Sequence, residues 1–365
     1  MRILMLITGL GVGGAERQLA DLADALHRLG HEVAIAYLTG SVRVRPKSPG
    51  VVLHDLEADK SVFGLLRVLR RLRSVIGEFR PNVVHSHMFH ANILARIARL
   101  SVAVPRLVCT AHSTHEGGRL RMLAYRLTHR LADVTTNVSR EAVVAFEAKR
   151  AIPKGGMLVV PNGIDTTRFC ANTINRQATR QQEGIGDDER VVIAVGRLVE
   201  AKDFSNLLHA WQEVTWNRTR IKLWIVGDGA LRGQLESLAA HLGIEQTVSF
   251  LGIRENIPDL LNAVDLFVLS SAWEGFAIVA AEAMACGKVA VVTDAGGTRE
   301  LLGEVGFLVG VRDSKALAAV LDHALSLPKE ELDRLGGLAR ERVIDHFSLS
   351  RAVDKWLDLY AQRAG

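Results

Sequence analysis

The chain has 365 residues, 48% hydrophobic and 23% charged, which is typical of an α/β protein with about two domains. It contains no run of 18 apolar residues, which argues against a transmembrane helix. The formal charge of +5 is unevenly divided. Residues 1–160 carry 23 Lys and Arg against 12 Asp and Glu, and residues 161–365 carry 22 against 28, so we expect different partners for the two halves.

The first half alternates between strand and helix patterns. The apolar start of the chain predicts a buried first strand rather than a signal peptide, because a Gly-rich turn follows it and no cleavage site is visible. An amphipathic helix is expected next, over 15–29, with Gly30 ending it. Further strands are predicted at 32–38, 83–86, 107–110 and 134–138, and Ser139 is expected to open a helix.

The pattern breaks near 161–163, and the polar interval 172–189 predicts a linker or a surface excursion. A second alternating series follows, with strands at 191–195, 222–226, 248–251, 265–269 and 289–293. We therefore predict an α/β protein with two Rossmann-like, doubly wound parallel-sheet domains, 1–163 and 164–347. The amphipathic helix in 348–365 is expected to pack back on the first domain.

Two Gly-rich turns open helices after predicted strands. The first contains Gly9, Gly11, Gly13 and Gly14, so its backbone N–H groups are placed to face an anion. It matches the G-x-G-x-x-G pattern for NAD, but no acid ends the second strand, which disfavours a dinucleotide site; a structural tight turn is the other alternative. The second turn includes Gly297 and predicts another phosphate cradle.

Charged residues follow the strands of the second half. Arg197 and Lys202 come after the strand at 191–195, where two cations suit a diphosphate, although alone such residues are more often solvated surface charges. Glu274 falls on a loop and Glu282 in the next helix, and carboxylates suit sugar and ribose hydroxyls. A cap or ion pair within the helix is an equally good interpretation of Glu282 alone.

The motifs together resemble the retaining glycosyltransferase family 4, which has the GT-B fold of two domains facing across a cleft. The matching pieces cover nearly the whole chain, and their order and spacing are more specific than any one of them. They are GGAER at 13–17, TAHSTHE at 110–116, VPNGID at 160–165, GRLVEAKD at 196–203, GDG at 227–229, and E-x7-E from Glu274 to Glu282.

The resemblance implies roles for particular residues. Arg197 and Lys202 would hold the donor diphosphate, Glu274 and His112 would contact the donor sugar, and Glu282 would bind the nucleotide ribose. Other residues are expected around the donor: Gly13, Gly14, Gly227, Phe276, Ala277, Ile278 and Gly297. A glycine is usual where this chain has Ala277, and the alanine is expected to fit only if its φ stays below zero.

No cofactor or metal is expected. His85, His87, His90 and His115 lie near His112, but their spacing suits no tetrahedral set, and no D-x-D triplet is present. The resemblance likewise implies no metal. The cysteines, Cys109, Cys170 and Cys286, are few and scattered, which favours a reducing cytoplasm.

The basic first half has two clusters of arginine. An amphipathic stretch at 65–76, with Leu65, Leu66, Leu69, Leu72 and Ile76 on one face, carries Arg67, Arg70, Arg71 and Arg73 and is suited to an anionic membrane surface, although an ordinary helix with a solvated rim fits it equally well. The second cluster holds Arg119, Arg121, Arg126 and Arg130. No motif for nucleic-acid recognition accompanies the charge.

We therefore predict a hexosyltransferase that acts on a UDP- or GDP-sugar and a cell-envelope glycan or lipid-linked acceptor, as in polysaccharide, O-antigen or lipopolysaccharide synthesis. The expected location is the cytoplasm, including the inner face of the membrane. A nucleotide-sugar epimerase on the same fold and a non-catalytic nucleotide-sugar-binding scaffold are the alternatives. An epimerase would turn over its donor without an acceptor, and a scaffold would not need all four of Arg197, Lys202, Glu274 and Glu282.

Overall fold

A computed structural model describes residues 1–58, 62–114, 116–186 and 188–362, without the side chains of Val62 and Phe63. His115, one of the histidines near His112, lies outside the described residues. Contacts divide the chain into two compact units. The first unit is Met1–Gly163 with Leu349–Gly365, and the second unit is Ile164–Ser348.

The described strands alternate with helices along both units. The strands are β1 (Arg2–Ile7), β2 (Glu32–Tyr37), β3 (Val52–Asp55), β4 (Val83–His87), β5 (Leu107–Ala111), β6 (Val134–Asn137), β7 (Leu158–Val159), β8 (Arg190–Val195), β9 (Ile221–Val226), β10 (Val248–Gly252), β11 (Leu266–Leu269), β12 (Val289–Thr293) and β13 (Phe307–Val309). The helices are α1 (Gly14–Arg28), α2 (Val62–Phe79), α3 (Phe89–Ala98), α4 (Arg119–Thr128), α5 (Arg140–Ala148), α6 (Thr173–Gln182), α7 (Phe204–Asn217), α8 (Arg232–His241), α9 (Ile257–Ala263), α10 (Ile278–Ala285), α11 (Thr298–Leu302), α12 (Ser314–Ser326), α13 (Lys329–Phe347) and α14 (Leu349–Ala361).

The first unit is built around a parallel sheet with the strand order β3-β2-β1-β4-β5-β6-β7. Side chains of β1 alternate between its two faces. Ile3, Met5 and Ile7 join the apolar cluster that contains residues of α1 and α14. Leu4 and Leu6 join the cluster that contains residues of α2 and α3. Helices therefore cover both faces of the strand, which explains its continuous apolar sequence.

Helix α14 belongs to the first unit although it ends the described chain. It packs against α1, and its Val353, Trp356 and Tyr360 side chains share a buried cluster with Leu19 and Leu22. The three aromatic and aliphatic residues recur at helical spacing, so the stripe they form is the buried face of the helix.

The second unit is built around a parallel sheet with the strand order β10-β9-β8-β11-β12-β13. Because its strands are parallel, the segments that follow β8, β9, β11 and β12 all begin at one edge. The order reverses between β8 and β11, and such a switch point opens a crevice at the carboxyl ends of the strands. The predicted class, two parallel doubly wound sheets, is confirmed.

The predicted linker at 172–189 is wrong, because the interval contains α6. Arg176 and Arg180 of this helix donate to backbone carbonyls at the end of α9, at 2.7–3.2 Å. Both also pair with Asp265, which precedes β11. The helix is held by charged side chains rather than by an apolar stripe, so apolar periodicity gives no signal for it.

The amphipathic helix α2 is confirmed, but its predicted apolar face is only partly correct. Val68, Leu72 and Ile76 are buried against the first sheet, whereas Leu65 and Leu66 are exposed. The buried stripe follows i, i+4 and i+8, which turns Leu66 toward solvent. Leu65 shares the helical face of Leu72, but it lies in the first turn of α2 and is exposed there. Periodicity also missed β3, β7 and β13, which are short strands at the ends of the two sheets.

Among the described residues, no helix combines the length and the apolar composition needed to cross a bilayer. The longest described helix, α13, has 19 residues and carries acidic side chains in its first turn.

The Asp265 carboxylate is expected to be essential for the second unit. It accepts from the Val191 amide at 2.8 Å, pairs with Arg176 at 2.7 Å, and lies 3.6 Å from the buried Arg180 guanidinium. Asp265→Asn removes the charge that both guanidiniums face, so we expect the free energy of unfolding to fall by about 3 kcal/mol in urea titrations.

A matched control is available on the same unit. Asp322 pairs with Arg218 at a more exposed position, so Asp322→Asn should cost at most about 1 kcal/mol. Equal losses for the two variants would show that the Asp265 network contributes no more than a surface ion pair.

Candidate functional site

Two strand-end turns touch at the carboxyl edge of the second sheet. Gly196 follows β8 and Gly227 follows β9, and Gly227 has φ +132°. A Cβ atom added to Gly227 would lie 1.9 Å from the carbonyl oxygen of Gly196. Only glycine permits this approach, so the glycine at position 227 has a specific steric cause.

Lys202 and Glu274 form an ion pair beside these turns. The Lys202 ammonium donates to Oε1 of Glu274, and the Ser271 hydroxyl donates to the same oxygen at 2.6 Å. The two charged side chains are only 19% and 11% exposed. The fold thus brings together a cation and a carboxylate that are 72 residues apart in the sequence.

Backbone geometry fixes the position of Lys202. Its carbonyl accepts from the Ser270 hydroxyl at 2.9 Å, and its side-chain carbons lie over Gly196, where an added Cβ would be 3.3 Å from Cε. Asp203 then adopts a left-handed conformation, with φ +45°, and its side chain accepts from the Asn206 amide to cap α7. The lysine is therefore held between a strand end and a helix start.

Arg197 is placed differently from Lys202. It follows β8 but is exposed, and among the described residues its guanidinium has no ion-pair partner. The structure therefore does not join Arg197 to the Lys202–Glu274 pair. An exposed and unpaired guanidinium keeps all its donors available for an anion.

The turn after β12 packs against the loop that carries Glu274. Gly296 has φ +64°, and an added Cβ would lie 2.2 Å from the Glu274 carbonyl oxygen. The Gly297 amide donates to the Gly275 carbonyl at 3.1 Å, and the Thr298 amide donates to Ala295. The predicted phosphate cradle at Gly297 therefore lacks two of its donors, because backbone carbonyls already accept them.

Ala277 departs from the sequence expectation. Its φ is +55°, so the condition under which an alanine was expected to fit here is not met. It directly precedes α10, which Ile278 begins, and an αL residue at that point turns the chain from the Glu274 loop into the helix. Phe276, one residue earlier, is buried with its ring 5.3 Å from that of Phe347.

Glu282 lies on α10 and is half-buried. Its neighbours Ala280, Ala281, Ala283 and Met284 are fully buried, so their face of the helix packs inward. The carboxylate lies at the boundary of this apolar face rather than deep within it.

His112 lies in the first unit, immediately after β5. Its Nε2 atom is 3.0 Å from Nδ1 of His87, and its backbone amide donates to Glu116 at 3.0 Å. Glu116 also accepts from the Tyr125 hydroxyl at 2.5 Å. Burial lowers the pKa of His112 to about 4, so its imidazole is neutral at pH 7. Desolvation raises the pKa of Glu116.

Glu116 is the last residue of the TAHSTHE motif, but the motif predicted no role for it. The contact that orients the His112 backbone arises from a turn of four residues, for which periodicity gives no signal. Ser271 was missed in the same way, because its role depends on the side chain of Glu274.

The first Gly-rich turn opens α1, with Gly13 just before the helix and Gly14 at its start. An added Cβ on Gly13 would lie 2.3 Å from Oε2 of Glu16, so this carboxylate folds back over the helix start. An acidic side chain there complements the helix dipole. The turn therefore has a resident anionic group beside the predicted donor-contacting glycines.

Two of the histidines named with His112, His85 and His87, lie close to it in the first unit. Among residues 1–58, 62–114, 116–186 and 188–362, no group of three or more His, Cys, Asp and Glu is arranged to hold a metal ion. Both ring nitrogens of His85 are already bonded, to the hydroxyls of Tyr360 and Thr110 at 2.6 and 2.7 Å.

Comparison with known proteins identifies the family. The model for Glycosyltransferase Family 4 matches residues 12–168, and the model for Glycosyl transferases group 1 matches residues 175–342. D-inositol 3-phosphate glycosyltransferase of Geodermatophilus obscurus is 30% identical over 311 residues, which are 78% of this chain and 67% of the relative. The chain belongs to glycosyltransferase family 4.

Other known proteins match along most of the chain. N-acetyl-alpha-D-glucosaminyl L-malate synthase of Bacillus anthracis is 28% identical, with 96% of this chain and 94% of the relative covered. HepE of Anabaena, crystallised with UDP and glucose, superimposes with a TM-score of 0.86 at 24% identity, covering 98% of each chain. This agreement confirms the GT-B fold that the family resemblance predicts.

Replacing Ala277 with glycine is expected to stabilise the family 4 fold here. The left-handed conformation costs an alanine roughly 1–2 kcal/mol, and the larger unfolded-state entropy of glycine offsets part of the gain. We expect Ala277→Gly to raise the free energy of unfolding by about 1 kcal/mol, measured by urea titration. Ala283→Gly, inside α10, should lower it by about 1 kcal/mol. A similar decrease in the free energy of unfolding for both variants would contradict the prediction that Ala277 is strained.

Proposed function

We propose that this protein is a retaining, metal-independent glycosyltransferase that moves a sugar from a UDP- or GDP-sugar to a cell-envelope glycan or lipid-linked acceptor. The observation that carries the proposal is the Lys202–Glu274 ion pair at the glycine-lined carboxyl edge of the second sheet. Parallel α/β sheets bind nucleotides outside this edge, at the switch point of the strand order. Both charged groups are held there by the fold before any ligand arrives.

The pair supplies complementary chemistry. The ammonium of Lys202 and the exposed guanidinium of Arg197 are cations that favour a departing diphosphate, whose charge grows as the sugar bond breaks. Glu274 is an acceptor for sugar hydroxyls, and half-buried Glu282 on α10 is our candidate for the ribose. Fixed charges of this kind need no rearrangement as the reaction proceeds, so binding energy lowers the barrier.

Retention of the anomeric configuration is part of the proposal. Glu274 is engaged by the Lys202 ammonium and the Ser271 hydroxyl, and both bonds reduce its nucleophilicity. This favours a same-face reaction over a double displacement through a glutamyl intermediate. In that reaction the departing phosphate oxygen takes the proton of the acceptor hydroxyl as the new glycosidic bond forms.

The relatives support the choice of donor and acceptor. The UDP-Gal:alpha-D-GlcNAc-diphosphoundecaprenol alpha-1,3-galactosyltransferase of Escherichia coli is 27% identical over 82% of this chain. The lipopolysaccharide core biosynthesis glycosyltransferase LpsD of Rhizobium meliloti is 26% identical over 95% of the chain. These names support our proposal that the acceptor is an envelope glycan or a lipid-linked precursor of one.

A thermal-shift panel tests the proposal. We expect UDP or GDP to raise the melting temperature equally with and without EDTA, because the proposed site uses side-chain cations. In Lys202→Ala this ligand-dependent shift should disappear and kcat should fall about 10²–10³-fold, while the unliganded melting temperature changes little.

Lys315→Ala is the control, because Lys315 is exposed on α12. Its nucleotide-dependent shift should equal that of the parent. Stabilisation by NAD alone would overturn the proposal. A Lys202→Ala protein whose unliganded melting temperature falls, but which UDP or GDP still stabilises, would show that the lysine is structural. Donor turnover without an acceptor would favour an epimerase.

We also propose that the first unit docks on an anionic lipid bilayer. Helix α4 buries Met122 and Tyr125, but Leu120 and Leu127 on its outer side are 83% and 74% exposed. The exposed leucines are interleaved with exposed arginines, and Leu65 and Leu66 of α2 are also exposed among arginines. At an anionic membrane surface, basic side chains meet the lipid headgroups and apolar side chains insert at the boundary with the acyl chains. A basic surface with exposed leucines suits both contacts. The cations of α4 and its flank are Arg119, Arg121, Arg126 and Arg130.

Charge reversal on α2 tests this docking. Arg67, Arg70 and Arg73 are exposed, whereas Arg71 pairs with Glu57 at 2.6 Å and is less available. The triple variant Arg67→Glu, Arg70→Glu, Arg73→Glu should lose binding to phosphatidylglycerol vesicles in co-sedimentation, because each cation contributes about 1 kcal/mol. UDP binding should persist.

A variant of equal charge change controls for net charge. Arg220, Arg232 and Arg334 are surface residues of the second unit, and their reversal to Glu should leave vesicle binding intact. Leu120→Ser with Leu127→Ser should weaken binding without changing charge. Absence of vesicle binding by the parent protein would remove the membrane proposal and leave the transferase proposal standing.

A further inference from the structure

Aromatic rings form a continuous column inside the first unit. The centroid of the His85 ring lies 4.4 Å from that of Trp356 and 4.0 Å from that of His87. The centroids of the His87 and His112 rings are 5.3 Å apart, and the rings meet edge to edge through their hydrogen bond. The column therefore runs from α14 to His112, the histidine that the family resemblance associates with the donor sugar. His85 lies against the His87 ring, and the bond to His112 fixes the edge of that ring.

His87 makes one hydrogen bond and leaves one nitrogen unpaired. Its Nδ1 lies 3.0 Å from Nε2 of His112, while its Nε2 is buried and has no partner among the described residues. Both imidazoles are neutral at pH 7, because burial lowers the pKa of each. Each ring therefore carries one proton, and the bond between them requires one donor and one acceptor.

The unpaired nitrogen decides the direction of this bond. If Nδ1 of His87 accepted, the proton of its ring would sit on Nε2 as a buried N–H group without an acceptor, and such groups are rare in folded proteins. If Nδ1 donates, Nε2 is a bare lone pair and no donor is orphaned. The second arrangement makes Nε2 of His112 the acceptor, so the proton of His112 is on Nδ1.

We propose that His87 is a positioning residue that holds His112 in the Nδ1–H tautomer and thereby gives the first unit a hydrogen-bond donor for an oxygen of the donor sugar. The inference rests on the proposed function for its last step alone. Among the described residues Nδ1 of His112 has no hydrogen-bond partner, so its N–H is available. Glu116 fixes the same residue through its backbone amide, at 3.0 Å.

The experiment reads the tautomer directly. Long-range ¹H–¹⁵N correlation spectra of histidine-labelled protein at pH 7 distinguish a protonated ring nitrogen from a bare one, and His112→Asn identifies the His112 signals. We expect Nδ1 of His112 to be protonated in the parent. In His87→Phe the ring column is kept but the hydrogen bond is lost, so both tautomers of His112 should appear.

Tyr360→Phe is the matched control. It also removes one buried hydrogen bond from the column, at His85, but leaves the His87–His112 bond in place. The His112 tautomer should stay as in the parent. A change of tautomer in both variants would mean that any loosening of the column has this effect, which would overturn the specific role of His87.

Kinetics complete the test. His87→Phe should lower kcat about tenfold with a smaller change in the KM for donor, because His112 is misoriented rather than removed. An Asn amide reaches as far as Nδ1 and a Gln amide as far as Nε2, so His112→Asn should retain more activity than His112→Gln.

The two levels of the proposal fail separately. A proton on Nε2 of His112 in the parent, or an unchanged tautomer in His87→Phe, would overturn the role of His87. A shifted tautomer in a protein with no sugar transfer would overturn the transferase assignment and uphold the assignment of the tautomer.

Discussion

The candidate site depends on the close approach of backbone segments at the carboxyl edge of the second sheet. Parallel strands deliver their following turns to one edge, where there is little room for side chains. Gly227 lets the turn after β9 contact Gly196, and Gly296 lets the turn after β12 contact the Glu274 carbonyl. A methyl group at either glycine would overlap a backbone oxygen. Because these two positions carry no side chain, the turns lie close together, and Lys202 and Glu274 form a shielded ion pair beside them.

Electrostatics then follow from this packing. The Lys202–Glu274 pair is shielded enough to have a defined geometry, yet it remains partly open to solvent, so its charges are available to a ligand. The positive φ of Ala277 belongs to the same arrangement, because it turns the Glu274 loop into α10 and places Glu282 on the helix that follows. Strain of this kind is often tolerated where a loop must present functional groups.

In the first unit, contacts between aromatic rings, rather than glycine turns, position the candidate residue His112. A column of contacting rings, with α14 at one end, orders this unit where glycine turns order the second. The terminal helix therefore does more than cover apolar surface: Trp356 and Tyr360 contact His85, and His85 contacts His87. Hydrogen bonds between neutral imidazoles transmit orientation without adding charge.

The sequence by itself determined the strand and helix alternation, the fold class and the residues at strand ends, because apolar runs and Gly-rich turns are local signals. It located Lys202 and Glu274 but not their contact, and it placed His87 near His112 only as a metal alternative. Local signals failed at α6, where arginines pair with Asp265 across 89 residues, and at Ala277, whose φ depends on the loop around it. The Lys202–Glu274 ion pair and the His87–His112 contact appear only in the tertiary structure, because they depend on distances between segments that are far apart in the chain.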